Sequence, residues 1–160
     1  MLDDFSIPEF EAMMVEVNAD DIFLHQLFDY YHQQLVGNTR VYQRLIDFGL
    51  TETAIENGKF GYCDRTLNRY INRSATADGA PFRGRMRRLG LIKETGHELL
   101  RGCWVEPVFD NKGDVISACG VKLSKRIRRK APQAIYWYRQ GVYTELVQFT
   151  LARLGGQYVG

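Results

Sequence analysis

Residues Leu99 to Leu123 read LLRGCWVEPVFDNKGDVISACGVKL, and this stretch decides the fold. Cys103 to Phe109 is rich in β-branched and aromatic residues, and an apolar run resumes from Val115. Between them, residues 110–113 read Asp-Asn-Lys-Gly, which is turn chemistry with glycine where the backbone needs a positive φ. The stretch therefore predicts a β-hairpin. Pro107 cannot donate to a strand ladder, so the first strand is predicted to be bulged or to lie at an edge there.

Helices are predicted before the hairpin, separated by capping residues and glycines. Ala19-Asp20-Asp21 predicts the start of a helix that ends at Gly37, after an acidic arm or short helix over 1–18. Its apolar stripe at helical spacing comprises Leu24, Leu27, Phe28, Tyr31 and Leu35. A second helix is predicted over 39–48, with Val41, Leu45 and Phe48 on one side, and a third over 52–57.

Two arginine-rich helices are predicted over 63–71 and 82–89, with a loop over 72–81 between them and a last helix over 142–154. The pattern as a whole predicts an α+β fold, with short helices packed on a small antiparallel sheet built on the 103–123 hairpin. We divide it into an acidic helical segment, 1–36, and a basic α+β domain, 37–160, and expect one globular unit. A helix-turn-helix over 39–57 is disfavoured, because Glu52 and Glu56 stand where a DNA-reading helix needs donors.

Charge is distributed unevenly along the chain. Of the 19 acidic residues, eight lie in 1–36, a segment without Lys or Arg, which leaves 11 acids against all 21 basic residues in 37–160. That surplus of about ten positive charges suits a polyanion partner, which binds by releasing condensed counterions. The alternative interpretation is a solvated surface with uneven charge.

The strongest basic signal follows the hairpin, where residues 115–144 contain no acid. Its cations are Lys122, Lys125, Arg126, Arg128, Arg129, Lys130 and Arg139, and its nearby aromatic residues include Tyr136, Trp137, Tyr138 and Tyr143. Cations next to aromatic rings suit a single strand, since cations follow phosphates and rings stack on bases. The alternative is that Ile135, Trp137 and Tyr143 are core residues and the charges form a solvated loop.

The hairpin resembles the bacterial-type DNA primase catalytic core, in the subdomain that precedes the metal-binding Toprim domain. The matching residues are Arg101, Pro107, Asp110, Gly113, Val115-Ile116 and Gly120, and upstream Val41 to Leu45, Phe48-Gly-Leu-Thr51, Ile55 and the Phe60-Gly-Tyr62 turn. The resemblance covers about residues 38–145. The sequence departs from the family at Cys103, where a second Arg is usual, and at Val121-Lys122, where the family has its final Arg.

The resemblance implies a nucleic-acid-binding domain that guides a single-stranded DNA template or a template-primer hybrid during replication of a plasmid, phage or mobile element. The expected binding residues are Arg101, Lys122, Lys125, Arg126, Arg128, Arg129, Lys130, Tyr136 and Trp137. A secondary basic patch comprises Arg83, Arg85, Arg87 and Arg88. The rival interpretation is a protein-interaction module that keeps a primase-like fold, in which the acidic segment 1–36 docks a replication partner or covers the basic groove.

No catalytic or metal-binding residues are predicted. Primases hold Mg²⁺ with Toprim carboxylates, and Glu145 is the one acid after Leu123, so we expect no cofactor here, and Mg²⁺ only if a Toprim domain or a Toprim-containing chain is supplied. The sequence leaves open whether the chain is a fragment or a free-standing relative. His25 and His32 are interpreted as structural, and Cys103 and Cys119 as small buried residues. Three scattered cysteines and no membrane-length apolar run indicate a cytoplasmic protein.

Overall fold

In the part of the chain that the computed structural model describes, four antiparallel strands lie side by side in the order in which they follow along the chain, and five helices pack around them. The structure describes residues 7–73, 79–123 and 133–139. The helices are α1 (Ile7–Val36), α2 (Thr39–Phe48), α3 (Glu52–Asn57), α4 (Leu67–Arg73) and α5 (Gly79–Arg88). The strands are β1 (Gly61–Tyr62), β2 (Cys103–Phe109), β3 (Val115–Lys122) and β4 (Ala134–Tyr138). The predicted α+β fold with a small antiparallel sheet is confirmed.

The hairpin at the centre of the sheet is formed by β2 and β3. Its turn is closed by the Asp110 carboxylate, which accepts hydrogen bonds from the backbone N–H groups of Lys112 and Asp114, both at 2.9 Å. Gly113 has a φ of +85°, as the turn chemistry predicted. The pairing is irregular between Val108 and Phe109, next to Pro107. The hairpin is therefore confirmed, whereas the irregularity lies one residue beyond Pro107, which itself pairs with Ala118.

The two outer strands were not predicted. Gly61 and Tyr62, expected as a turn, pair with Val105 and Trp104 as β1, and β4 pairs with β3. β1 escapes prediction because two residues carry no periodicity. In β4, alternation places Trp137 in the core and Tyr136 outside, which is a strand signal that the nearby basic residues obscured.

Helix α1 runs unbroken from Ile7 to Val36, so the predicted start at Ala19-Asp20-Asp21 is wrong. Asp20 lies in the middle of this helix and does not cap its start. Its side chain is buried and pairs with two arginines of α5 that are distant in the sequence. The predicted caps of the next two helices are confirmed: the Asn38 carboxamide oxygen accepts from the Val41 N–H, and the Thr51 hydroxyl accepts from the Ala54 N–H.

Two predicted helix boundaries need correction. Helix α4 begins at Leu67 rather than near residue 63, and α5 begins at Gly79, inside the predicted loop. On α2, Val41 and Leu45 are buried, whereas Phe48, predicted on the same side of the helix, is 62% exposed and its ring contacts the Trp104 ring at a centroid distance of 5.5 Å. The helix predicted over 142–154 lies outside the described residues.

The core has two parts, one on each face of the sheet. Successive residues of a strand point to opposite faces, so Cys103 and Val105 lie in one cluster and Trp104 in the other. The first cluster joins α1, α4 and α5 to the sheet through Leu24, Leu27, Phe28, Tyr31, Leu67, Ile71, Phe82, Met86, Val105, Ala118 and Trp137. The second joins α1, α2 and α3 to it through Leu35, Val41, Leu45, Ile55, Phe60 and Trp104. Helix α1 therefore contributes to both.

Candidate nucleic-acid interface

The open end of the hairpin, where β2 begins and β3 ends, brings two of the predicted binding residues together. Cys103 pairs with Lys122 across the strands, and the exposed Arg101 lies two residues before Cys103. Burial raises the pKa of the Cys103 thiol to about 11, against an opposing effect of the positive charges of Lys122 and Arg65. The positive charges of Lys122 and Arg65 therefore both lie close to this end of the hairpin.

A depression of about 390 Å³ lies between this end of the hairpin and helix α2. Its lining comprises Asn38, Arg40, Val41, Arg44, Tyr62, Asp64, Arg65, Gly102 and Leu123. Helix α2 supplies Arg40 and Arg44, and Arg44 is fixed there because its Nη1 donates to the Leu123 carbonyl oxygen at 2.8 Å. The depression thus combines three guanidinium groups with polar side chains.

A second depression, of about 490 Å³, is lined by Arg65, Asn68, His97, Glu98 and Arg101. It shares Arg65 with the first, so that residue lies where the two depressions meet. Glu98 is buried, and its carboxylate accepts a hydrogen bond from the Tyr31 hydroxyl at 2.8 Å. Burial raises the pKa of Glu98. We call the two depressions together the arginine groove.

The cations of the arginine groove differ from the other basic residues in their partners. Within residues 7–73, 79–123 and 133–139, no carboxylate forms an ion pair with Arg40, Arg44, Arg65, Arg101 or Lys122. In contrast, Arg139 pairs with Asp21. In the described part of the protein these five cations are therefore without an ion-pair partner, although the side chains of Asp64 and Glu98 also line the groove.

The secondary basic patch on α5 is partly neutralised. Arg85 and Arg88 both pair with Asp20, whose side chain is 8% exposed, and the Arg85 guanidinium also lies 5.4 Å from the centroid of the Phe23 ring. Arg83 is partly buried and Arg87 is exposed. Two of the four arginines of the predicted patch are therefore paired with α1, and nucleic-acid binding by the patch stays a prediction.

The two predicted stacking residues of β4 have different surroundings. Tyr136 is 37% exposed. Trp137 is 4% exposed, lies 6.0 Å from the Phe28 ring, and its indole N–H donates to the Leu89 carbonyl oxygen at 2.6 Å. A base cannot stack on a ring that is buried in this way, so Trp137 is a core residue, as the alternative interpretation held. The predicted cations Lys125, Arg126, Arg128, Arg129 and Lys130 lie outside the described residues.

Sequence reasoning missed Arg40, Arg44 and Arg65 as site residues. Arg40 and Arg44 lie on α2, and Arg65 follows β1. All three are distant from the hairpin in the sequence, and only the fold brings them close to it. One usable signal was Gly102: a glycine directly after Arg101 and before a strand indicates a close approach of another group, and here that group is the Arg65 side chain.

Side chains that could carry other chemistry have structural partners. His25 contacts the Asp114 carboxylate at 3.2 Å, and His32 Nδ1 lies 2.7 Å from the Phe60 carbonyl oxygen, so both histidines are structural, as predicted. All three cysteines are free and buried, and burial raises the pKa of each thiol. Among the described residues, no group of three or more His, Cys, Asp or Glu side chains could hold a metal ion.

The arrangement of sheet and helices is the fold found in the catalytic cores of bacterial DNA primases. The structural neighbours are DnaG catalytic cores, also called RNA polymerase domains. The chain matches a DnaG catalytic domain bound to single-stranded DNA with a TM-score of 0.62 and 19% identity, over 82% of this chain and 43% of that one.

Two further primases show the same likeness. The Aquifex aeolicus primase, with its zinc-binding and RNA polymerase domains, matches with a TM-score of 0.62 and 16% identity, over 74% of this chain and 28% of that one. The Mycobacterium tuberculosis RNA polymerase domain in complex with double-stranded DNA matches with a TM-score of 0.60 and 14% identity, over 79% and 40%. The chain thus spans less than half the length of these neighbours.

No family model matches the sequence, and no curated protein matches it either. The likeness is therefore one of fold. None of the described helices has the length and apolar character needed to cross a membrane.

Proposed function

We propose that this domain binds nucleic acid through the arginine groove and guides a single-stranded DNA template, or a template-primer hybrid, in DNA replication. The observation that carries the proposal is the convergence of Arg40, Arg44, Arg65, Arg101 and Lys122 at one end of the hairpin, where no carboxylate within the described ranges forms an ion pair with any of them. Cations in a groove attract phosphates and make binding dependent on salt.

The fold supports the proposal that the domain binds nucleic acid. Among its structural neighbours, one DnaG catalytic domain is bound to single-stranded DNA and one RNA polymerase domain is in complex with double-stranded DNA. The basic residues Lys125, Arg126, Arg128, Arg129 and Lys130 follow Leu123 in the sequence and would add positive charge for binding the same strand. The setting we propose is replication of a plasmid, phage or mobile element in the cytoplasm.

Polymerisation is not part of this proposal. Phosphoryl transfer needs carboxylates that hold divalent ions, and the described residues offer no such group. If the domain acts in primer synthesis, Mg²⁺ and the reacting groups would come from a Toprim domain. That domain would belong either to the same protein or to a partner chain. The role of the present residues is then to bind and orient the strand.

The test is fluorescence anisotropy of a labelled single-stranded oligonucleotide, compared with a duplex, between about 50 and 200 mM salt. We expect salt-dependent binding that prefers the single strand. The double variant Arg101→Ala/Lys122→Ala should bind more weakly, with the slope of log affinity against log salt reduced by about 1.4, or about 0.7 per lost single-strand phosphate contact. The matched control Lys59→Ala/Lys112→Ala removes two exposed cations away from the groove and should bind like the wild type. Equal loss in both variants would mean that the groove has no special role.

Residues 125–130 lie outside the described ranges, and a separate experiment tests them. Reversing charge at Arg126, Arg128 and Arg129 should abolish binding if this cluster extends the groove. Unchanged affinity in a folded variant would remove the cluster from the proposal and leave the arginine groove as the binding surface.

A second candidate function is docking of a replication partner protein through α1. Val15 and Ile22 are 65% and 66% exposed. They are seven residues apart and therefore lie on the same face of α1, a helix rich in acidic residues. Absence of DNA binding at 50 mM salt, together with loss of a partner interaction in Val15→Ser/Ile22→Ser, would favour this function.

A further inference from the structure

Arg65 has a backbone conformation that an L-amino acid rarely adopts. Its φ is +69°, and within the described residues the one other non-glycine residue at positive φ is Lys59, at +50°. The left-handed region places Cβ close to the following carbonyl oxygen, so a side chain there costs folding free energy that glycine would avoid. A glycine at position 65 would thus suit the fold better than the arginine does.

Contacts on both sides of Arg65 hold it in this conformation. The Asp64 carboxylate accepts hydrogen bonds from the Thr66 N–H, at 3.1 Å, and from the Thr66 hydroxyl. The same hydroxyl contacts the Tyr30 hydroxyl of α1. None of these bonds involves the arginine side chain, so the conformation does not depend on the guanidinium.

The guanidinium of Arg65 lies over Gly102. A Cβ on Gly102 would stand 3.1 Å from Arg65 Nη2, so glycine at this position leaves room for the guanidinium. Gly102 itself has a φ of +74°, and its N–H donates to the Cys63 carbonyl oxygen at 2.8 Å, which joins the two chain segments. The Arg65 side chain is thereby presented where the two depressions of the arginine groove meet.

We infer that Arg65 is the central phosphate-binding residue of the arginine groove, gripping one phosphodiester of a single strand that passes from one depression to the other. This inference rests on the proposed function. The planar guanidinium offers paired N–H donors that match two phosphate oxygens, which a lysine ammonium cannot do. The unfavourable backbone at Arg65 is kept because this side chain is needed at this point.

The experiment compares Arg65→Gly with Lys59→Gly, which makes the same change at the other positive-φ position, away from the groove. Both variants should unfold in urea at a midpoint equal to or above that of the wild type, because glycine relieves the strain. Arg65→Gly alone should lose about tenfold in affinity for a labelled single-stranded oligonucleotide at 50 mM salt, and its salt slope should fall by about 0.7. Arg65→Lys should keep the slope and still bind more weakly.

Each contrary outcome overturns the inference. If the wild type binds and Arg65→Gly binds equally well, with an unchanged slope, Arg65 is not a phosphate ligand, while the proposed function stands. If Arg65→Gly loses its fold or unfolds at a clearly lower urea midpoint, the arginine side chain is a structural element. If the wild type itself binds no oligonucleotide at low salt, the proposed function fails and this inference fails with it.

Discussion

Asp20 of α1 accepts a hydrogen bond from the Arg85 guanidinium of α5 at 2.9 Å, across 65 positions of the chain. The Arg88 guanidinium donates to the same carboxylate oxygen. The Asp20 side chain is 8% exposed, whereas the Asp29 and Lys59 side chains of another ion pair on α1 are 51% and 45% exposed. One acid of the acidic segment thus anchors α1 to the basic body of the protein.

Replacing Asp20 with Asn should lower the free energy of unfolding by about 2 to 3 kcal/mol, because the partly buried Arg85 guanidinium then loses the charged carboxylate that accepts its hydrogen bond. Urea unfolding measures the change. Asp29→Asn is the matched control, since an exposed pair contributes less than about 1 kcal/mol. Equal effects of the two substitutions would contradict the structural role of the Asp20 pair.

Trp137→Phe and Tyr136→Ala separate the core role from the binding role on β4. Trp137→Phe removes the hydrogen bond to Leu89 and some core volume, so it should destabilise the fold by about 1 to 3 kcal/mol and leave the DNA affinity of the folded protein unchanged. Tyr136→Ala should change stability little and weaken single-strand binding by about 1 to 3 kcal/mol if its exposed ring stacks on a base. Anisotropy and urea unfolding of both variants check the pair, and the reverse pattern would refute the assignment.

Gly61→Ala should destabilise the protein by about 1 to 3 kcal/mol. A Cβ at this position would stand 2.7 Å from the Tyr31 backbone carbon and Cβ, and therefore α1 would have to move away from β1. Gly84→Ala is the control: nothing lies within 4 Å of the added methyl group, and alanine in a helix should stabilise α5 by about 1 kcal/mol. Thermal or urea unfolding should therefore shift in opposite directions for the two variants.

Stability should depend on pH through Glu106. Burial raises the pKa of this carboxyl from 4.5 to about 7 in the folded state. The folded protein then retains a proton that the unfolded chain releases, so this stabilisation is complete below about pH 4.5 and is lost as the pH rises through about 7.

The urea midpoint of the wild type should fall between pH 5 and pH 8, and Glu106→Gln should fall less steeply. Glu94→Gln, which changes an exposed side chain, should keep the wild-type dependence. A wild-type-like pH profile for Glu106→Gln would show that this carboxyl does not retain its proton.

Local patterns were sufficient to predict the hairpin and the caps at Asn38 and Thr51, because each depends on residues within a few positions of one another. The start predicted at Asp20 failed for the opposite reason: an acid between helical stretches resembles a cap unless its distant arginine partners are known. Phe48 shows the limit of periodicity, which indicates the side of a helix but not where the covering surface ends.

The candidate site could be predicted in part. Arg101 and Lys122 flank the hairpin, so their proximity follows from strand pairing. Arg40, Arg44 and Arg65 belong to α2 and to the segment after β1, and no local pattern places those segments beside the hairpin. Trp137 was misassigned because a basic neighbourhood and a core position both attract aromatic residues, and the choice depends on what packs against the strand.

The presence of α1 in both core clusters has a consequence for synthesis of the protein on the ribosome. Leu24, Phe28 and Leu35 leave the ribosome first, but their partners Trp104, Ala118 and Trp137 follow about 70 to 110 residues later. At about 5 to 20 residues per second, the apolar side of this helix waits roughly 4 to 20 seconds for the sheet that covers it. During translation, α1 is therefore made before the sheet that covers it, and its apolar side is not fully covered until β4 has emerged.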